Sequence, residues 1–478
     1  MRRDGKNIAF CYVSMVVVLL LISASFIFDW IPIDILRYIS LFIILLQIFF
    51  EIRTKNKFFL TSPLFILSSL SFIFFSFAQG IAINLYEPSF HPKVISAYGS
   101  DGERYLAAFA FVGLASYVLV LLMTRIKLEP QKIKYTPENL SVFRLFMFCI
   151  IALTIINVYF FYTAPSITAT LNIPLRHLLP PLQAFMLIFL IRRIFISGKK
   201  FTLLSAFFFC ILFAGMFAVH EGKIPILIGA TALFYWLRLT KITLKKISLY
   251  LVIALVLSVS GLQLISVIRS PETSIKVFSG APNAELHKSN FPKISKVPLL
   301  KILYRQIDTV YCFNKVLNYG LDEAFILSEQ FFWIKGLVPR FMWPEKPSLS
   351  QGKVYAKKYC GVDHPDHNHN SSITLLGQPF IKGGNAGLFL NMGLLILGLA
   401  GITWLTREPL GLATLSVVVL SPWLIDMDQN FGLYIANLVK FFFIILPLII
   451  VVGLSEKNQH IKYLIHLFSF KRERTDKK

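Results

Sequence analysis

Charge is what this sequence has least of. Only 15% of its 478 residues are Asp, Glu, Lys or Arg, where soluble domains carry about a quarter. Acidic residues are scarcer still, 25 against 48 basic ones, which leaves a net charge of +23. The five cysteines are too few and too scattered to form a disulfide framework. Cys11, Cys149 and Cys210 fall inside apolar runs and read as small apolar residues. Cys312 and Cys360 share a polar interval, where pairing requires an oxidising compartment. No small-residue cleavage site follows the first apolar run, Ile8–Phe28, so it reads as a first span that doubles as the insertion signal. An internal repeat is also missing, which counts against the two-halved plan of many secondary transporters.

What fills the chain instead is apolar: 56% of residues are hydrophobic and the mean hydropathy is +0.66. The expected fold is an all-α polytopic membrane protein with about twelve spans, each near the length of about 20 residues that a bilayer requires. In the first half they fall at Ile8–Phe28, Ile33–Phe50, Phe59–Leu85, Tyr105–Met123, Val142–Tyr162 and His177–Phe195. In the second half they fall at Phe201–Val219, Ile224–Leu239, Ile247–Ser266, Ala386–Leu405, Leu412–Ile425 and Leu433–Leu454. Basic residues sit on alternate sides of these runs. One side holds Arg2, Arg3 and Lys6, then Arg53 to Lys57, Arg125 to Lys134, Arg192 to Lys200, Arg238 to Lys246 and the tail from Lys471 to Lys478. The opposite short loops hold almost none, chiefly Lys93, Arg176 and Lys223. Because Lys and Arg in short loops stay on the cytoplasmic side, both termini are expected inside. Topology therefore accounts for most of the basic excess, and no nucleic-acid partner is needed to explain it.

The same orientation puts the longest polar interval, 267–384, outside, between a bundle over 1–266 and the last spans over 385–456, with a basic tail at 457–478. Loops of this size are usually functional. Within it, Lys296–Tyr319 repeats apolar residues at helical spacing, and Glu323 to Leu337 carries Phe325, Phe331, Phe332 and Trp333 in a pattern suited to the membrane interface. Pro339-Arg340-Phe341-Met342-Trp343-Pro344-Glu345-Lys346-Pro347 follows. Each proline removes a donor and restricts the residue before it, so this run is a stiff extended loop. Next comes the cluster Asp363-His364-Pro365-Asp366-His367-Asn368-His369-Asn370. Gly377, Gly383, Gly384 and Gly387 close the interval and let the backbone turn tightly into the tenth span.

The Pro-Arg-x-x-Trp-Pro-x-Lys-Pro run, placed before a Gly-rich approach to the last spans, resembles the Wzy-type O-antigen polymerases. Arg340, Trp343, Pro344, Lys346 and Pro347 match that run, and Asn370, Thr374, Gly377, Phe380, Gly383 and Gly387 fit a looser segment after it. Lys382-Gly383-Gly384 stands where the family commonly has an Asn-Phe-Gly-like turn. Arg269 and Gly280 have the eleven-position spacing described for outer loops of some members. The resemblance implies a glycosyltransferase with a GT-C-like fold that needs no cofactor. It would join oligosaccharide repeats carried on undecaprenyl pyrophosphate at the periplasmic face of a bacterial inner membrane, in lipopolysaccharide biosynthesis. A chain-length regulator protein is the further partner implied, beside the lipid bilayer.

That reaction calls for cations fixed in advance around the departing diphosphate. Arg269, Arg305, Arg340 and Lys346 are the candidates, arginine being suited by its planar fork. A base must also take the acceptor's proton, for which His369, His367, Asp363 and Asp366 are at hand. The simpler readings stay open: Arg305 as partner of Asp308, Trp343 as a packing anchor instead of a sugar platform, and the His/Asp cluster as a metal site or a solvated loop. His220 and Lys223 in a tight outer turn and Lys440 inside the last span complete the substrate-binding candidates. Lys440 stands out because an ionisable group within a span must be paired or face water, and Asp426 or Asp428 is its expected partner. Two rival functions fit the same plan. One is a ligase moving the polymer from the same lipid to a lipid A core. The other is a flippase for the lipid-linked oligosaccharide, which the long loop and the lack of a repeat disfavour.

Overall fold

A computed structural model describes residues 2–53, 57–77, 100–127, 148–156, 159, 165–197, 224–240, 309–318, 326–338, 343, 345, 352–359, 373–426 and 429–457. All regular structure among the described residues is helical. In order, the long elements are α1 (Arg2–Phe28), α2 (Ile33–Arg53), α3 (Pro63–Phe72, continued by a π turn at Ile73–Phe77), α4 (Ser100–Lys127), α5 (Pro165–Ser197) and α6 (Ile224–Leu239). Three short pieces follow, α7 (Leu327–Gln330), α8 (Ile334–Leu337) and α9 (Gly352–Lys358), and then α10 (Thr374–Leu405), α11 (Leu412–Leu424) and α12 (Phe431–Lys457). Among the described residues six helices are long and apolar enough to cross a membrane, within α1, α2, α4, α5, α10 and α12, and α3, α6 and α11 are shorter apolar helices. The chain is thus an α-helical membrane protein. The expected spans Phe201–Val219 and Ile247–Ser266 lie outside the described residues, as does part of Val142–Tyr162.

The chain divides into two units. One comprises 1–127, 241–407 and 423–438; the other comprises 128–240, 408–422 and 439–478. In the first, α4 is the hub, with α1, α3 and α10 packed on it. Its apolar window is 72% buried, against 22% for α2. The side-chain bonds give the directions. Ser23 Oγ donates to Ala108 O at 3.0 Å and Arg104 Nη1 to Phe26 O at 3.3 Å, so α1 and α4 are antiparallel. Phe65 meets Tyr117 at 5.0 Å and Phe72 meets Phe111 at 5.3 Å, so α3 and α4 are antiparallel as well.

α2 carries its polarity inward. Its buried positions include Arg37, Ser40, Gln47 and Glu51, while Tyr38, Phe42, Leu45 and Phe49 are exposed. Arg37 grips Glu103 through Nε to Oε1 at 2.7 Å and Nη2 to Oε2 at 2.6 Å. Near the other end, Tyr117 Oη donates to Glu51 at 2.8 and 2.9 Å. In both pairs the partners are 66 positions apart. α2 and α4 therefore run parallel and hold one register over nearly four turns, about 21 Å.

α10 begins at Thr374, about three turns before the expected Ala386. Gly377 and Pro379, composition that reads as loop, are helical, because a proline needs only the preceding turn to adapt and its lost donor is tolerated in a helix with tertiary partners. The expected tight turn is real but lies within the helix. It is a break at Gly383 (φ −171°, ψ 27°) and Gly384 (φ 55°, ψ −147°), and the second of these conformations is open only to glycine. At the far end of α10, Ser62 Oγ caps α3 by accepting from Phe65 N at 3.1 Å and meets Thr403 Oγ1 at 3.2 Å.

The second unit packs α5 against α6. Gln183 Nε2 donates to Thr154 Oγ1 at 2.9 Å. Arg192 Nε and Tyr235 Oη donate to the carbonyls of Leu410 and Pro409, at 2.7 and 3.0 Å.

Candidate functional site

The polar interval meets the first unit through three described pieces. The helical stretch 309–318 lies at the start of α4, where Asn314 Oδ1 accepts from Gly102 N at 3.3 Å and so satisfies one of the donors every helix start leaves open. Cys312 and Phe313, on the same stretch, are fully buried, and Cys312 is disulfide-bonded; its expected partner Cys360 lies outside the described residues.

The second piece is 326–338. An interfacial helix was expected here; the chain instead makes two short turns, α7 and α8, that fold onto the break of α10. Gln330 Nε2 donates to Lys382 O at 2.7 Å, and Asn391 Nδ2 donates to Gln330 Oε1 at 3.4 Å and to Gly387 O at 2.9 Å. Trp333 Nε1 donates to Asn391 Oδ1 at 3.1 Å. A Cβ on Gly383 would stand 2.5 Å from Gln330 Nε2, and one on Gly387 would collide with the same amide. These glycines are there for close approach. Phe332 packs on the Phe431 ring at 6.1 Å, so the aromatics serve this clamp.

The third piece is α9. The hydroxyl of Tyr355 is hydrogen-bonded with Gln378, and burial pushes its phenol well above the ordinary value. Gln378 Oε1 also accepts from Gly432 N at 2.9 Å, which ties α9, α10 and α12 at one buried amide. Just before it, Thr374 is fully buried with φ 66°, a strained conformation for a β-branched residue. Its Oγ1 accepts from Leu376 N at 3.2 Å.

Beside these pieces a cavity of about 280 Å³ opens at the end of the unit where α1 finishes and α4 begins. Asp101, Arg104, Tyr105, Asn318, Phe380 and Asn385 line it. Arg104 Nη2 pairs with Asp29 at 2.5 Å. Asp29 reaches it because it ends α1 in the left-handed region, φ 55°. Tyr105 Oη donates to Asn385 Oδ1 at 3.1 Å, and Asn385 is the first residue beyond the glycine break.

Of the residues singled out from sequence, Arg269, Arg305, Arg340, Lys346, His367, His369, His220 and Lys223 lie outside the described residues. Trp343 is described and exposed. Lys440 is half-buried on α12, its Nζ 5.3 Å from the centre of the Phe441 ring. Asp426, one of its two expected partners, is buried and accepts from Gln429 Nε2 at 2.5 Å. Sequence reading passed over Arg37, Glu51, Asp101, Glu103 and Arg104. The rule that selected Lys440, an ionisable group inside an apolar run, selects Arg37 equally well.

Comparison of the chain with known protein families, curated proteins and solved structures gives no match.

Proposed function

We propose that the protein is a glycosyltransferase that polymerises lipid-linked oligosaccharide repeats at the periplasmic face of the inner membrane, as the resemblance of its Trp-Pro run implies. One observation carries the reading. The run begins at Pro339, the residue after the segment that Gln330 and Trp333 lock onto the glycine break of α10. Groups that must be in place before charge develops belong on such a rigid footing. Two further facts support the reading. Basic residues alternate in the way that places the long interval outside, and the bonded Cys312 sits in that interval, as an oxidising compartment would allow.

In this mechanism a hydroxyl of the acceptor repeat attacks the anomeric carbon of the donor chain. The new C–O bond forms as the bond from that carbon to the undecaprenyl diphosphate breaks. Arg340 and Lys346, with Arg305 and Arg269, neutralise the departing diphosphate. His369 or His367 takes the hydroxyl proton. The products are a chain longer by one repeat, still lipid-linked, and free undecaprenyl diphosphate.

Purified protein and lipid-linked repeat provide the test. Wild type should build long chains, and Arg340→Ala and Arg305→Ala should lose most turnover while unfolding at the wild-type temperature. Unchanged chain length in both variants would remove these arginines from the mechanism. Transfer of preformed polymer to lipid A core, without chain growth, would make the protein a ligase.

A further inference from the structure

The cavity at the start of α4 has a composition that selects its ligand. Among the described residues lining it the one cation, Arg104, already spends its charge on Asp29 at 2.5 Å and on Phe26 O at 3.3 Å. The other charged group among them is a carboxylate, Asp101. A diphosphate entering here would meet this negative group and an engaged guanidinium, a poor match for the leaving group. The remaining described walls are neutral and mixed: a phenol (Tyr105), two carboxamides (Asn318 and Asn385), two aliphatic side chains (Ile27 and Leu317) and the buried ring of Phe380. Carboxylate and amides together offer both donors and acceptors, and each hydroxyl of a sugar both donates and accepts. An apolar ring beside them suits the C–H face of a pyranose. At about 280 Å³ the space lies at the lower end of the range of about 300–1,000 Å³ for small-molecule sites, a size for one or two rings and not for a long chain.

We infer that this cavity is a sugar subsite that holds a neutral ring of the oligosaccharide repeat. The inference rests on the proposed polymerase reading for the identity of the sugar. Asn385, on the cavity wall, follows the same break of α10 whose other side is clamped by Gln330. A ring held by Asn385 is thereby indexed to the clamped segment 326–338.

The probe is the repeat oligosaccharide freed from its lipid by mild acid, titrated into the full-length protein in nanodiscs and read by calorimetry. Asp101, Asn318 and Asn385 are exposed, and of the three only Asn385 has a side-chain bond among the described residues to lose, the one it accepts from Tyr105 Oη. Asp101→Asn and Asn385→Ala should each weaken binding about tenfold, the loss of a hydrogen bond to a charged or amide group. Asn318→Ala should weaken it less, and inorganic pyrophosphate should not compete. Wild-type protein that binds no oligosaccharide, variants that bind as wild type, or displacement by pyrophosphate would each overturn the subsite. A parallel polymerisation assay separates this inference from the reading beneath it. If wild type polymerises while the variants keep wild-type binding and KM, the subsite fails alone. If wild type makes no polymer yet binds sugar through Asp101, the polymerase reading fails and the subsite stands.

Discussion

Two arginines at one end of the first unit carry opposite lessons. The Arg37–Glu103 pair is sealed: the Arg37 side chain is 10% exposed, it forks onto Glu103, whose side chain is 4% exposed, and Ser76 Oγ donates to the same carboxylate at 2.7 Å, while the exposed Asp34 meets only the remaining Nη1. Arg104 pairs with Asp29, whose side chain is 67% exposed, at the rim of a cavity. Both are guanidinium–carboxylate pairs, yet the first holds helices together and the second fixes a cation in a cavity wall. Burial of the partner, not the identity of the pair, makes the difference.

Breaking the sealed pair should have the largest effect. Glu103→Ala leaves the buried guanidinium only the exposed Asp34, and the loss is expected at about 3–5 kcal/mol. Thermal unfolding in detergent measures it, and a variant as stable as wild type would show that water already reaches Arg37. The clamp comes next. Gly383→Val drives a side chain into Gln330 and should cost about 1–3 kcal/mol together with most of the activity. Gly393→Ala, on the same helix with open space around it, should do neither; equal effects would mean that glycine content, not close approach, matters. Tyr117→Phe removes the hydroxyl that serves both oxygens of Glu51, at about 1–3 kcal/mol. Asp29→Asn should be the mildest, below about 1 kcal/mol, because the Asp29 carboxylate is itself 67% exposed. The same change frees Arg104, so inorganic pyrophosphate should bind the variant's cavity and not the wild type's. A variant that still ignores pyrophosphate would deny that Asp29 is what occupies the guanidinium.

The helices of this fold were largely legible in the sequence, because an apolar run of span length has few other uses. α1, α2, α4 and α12 lie where hydropathy puts them. Where glycine and proline made composition ambiguous, the reading slipped: the start of α10 was missed since Gly377 and Pro379 look like loop until Gln378, between them, is seen bonded to Gly432. The aromatic stretch 325–333 has the same amphipathic signature whether it meets lipid or protein, and its sequence does not name Asn391 as the partner of Trp333. The ion pairs were not legible at all. Glu103 is 66 positions from Arg37, and nothing local to either residue names the other. The cavity likewise draws on α1, α4, 309–318 and α10, four segments spread along the chain.

The matched spacing of Arg37 with Glu103 and of Glu51 with Tyr117 works as a pair of dowels. Sliding α4 along α2 by even one residue would pull out both together, so this face of the bundle has no cheap way to shear. Any rearrangement of the first unit is thereby diverted toward a place where a helix backbone is already interrupted, the pivot at Gly383 and Gly384.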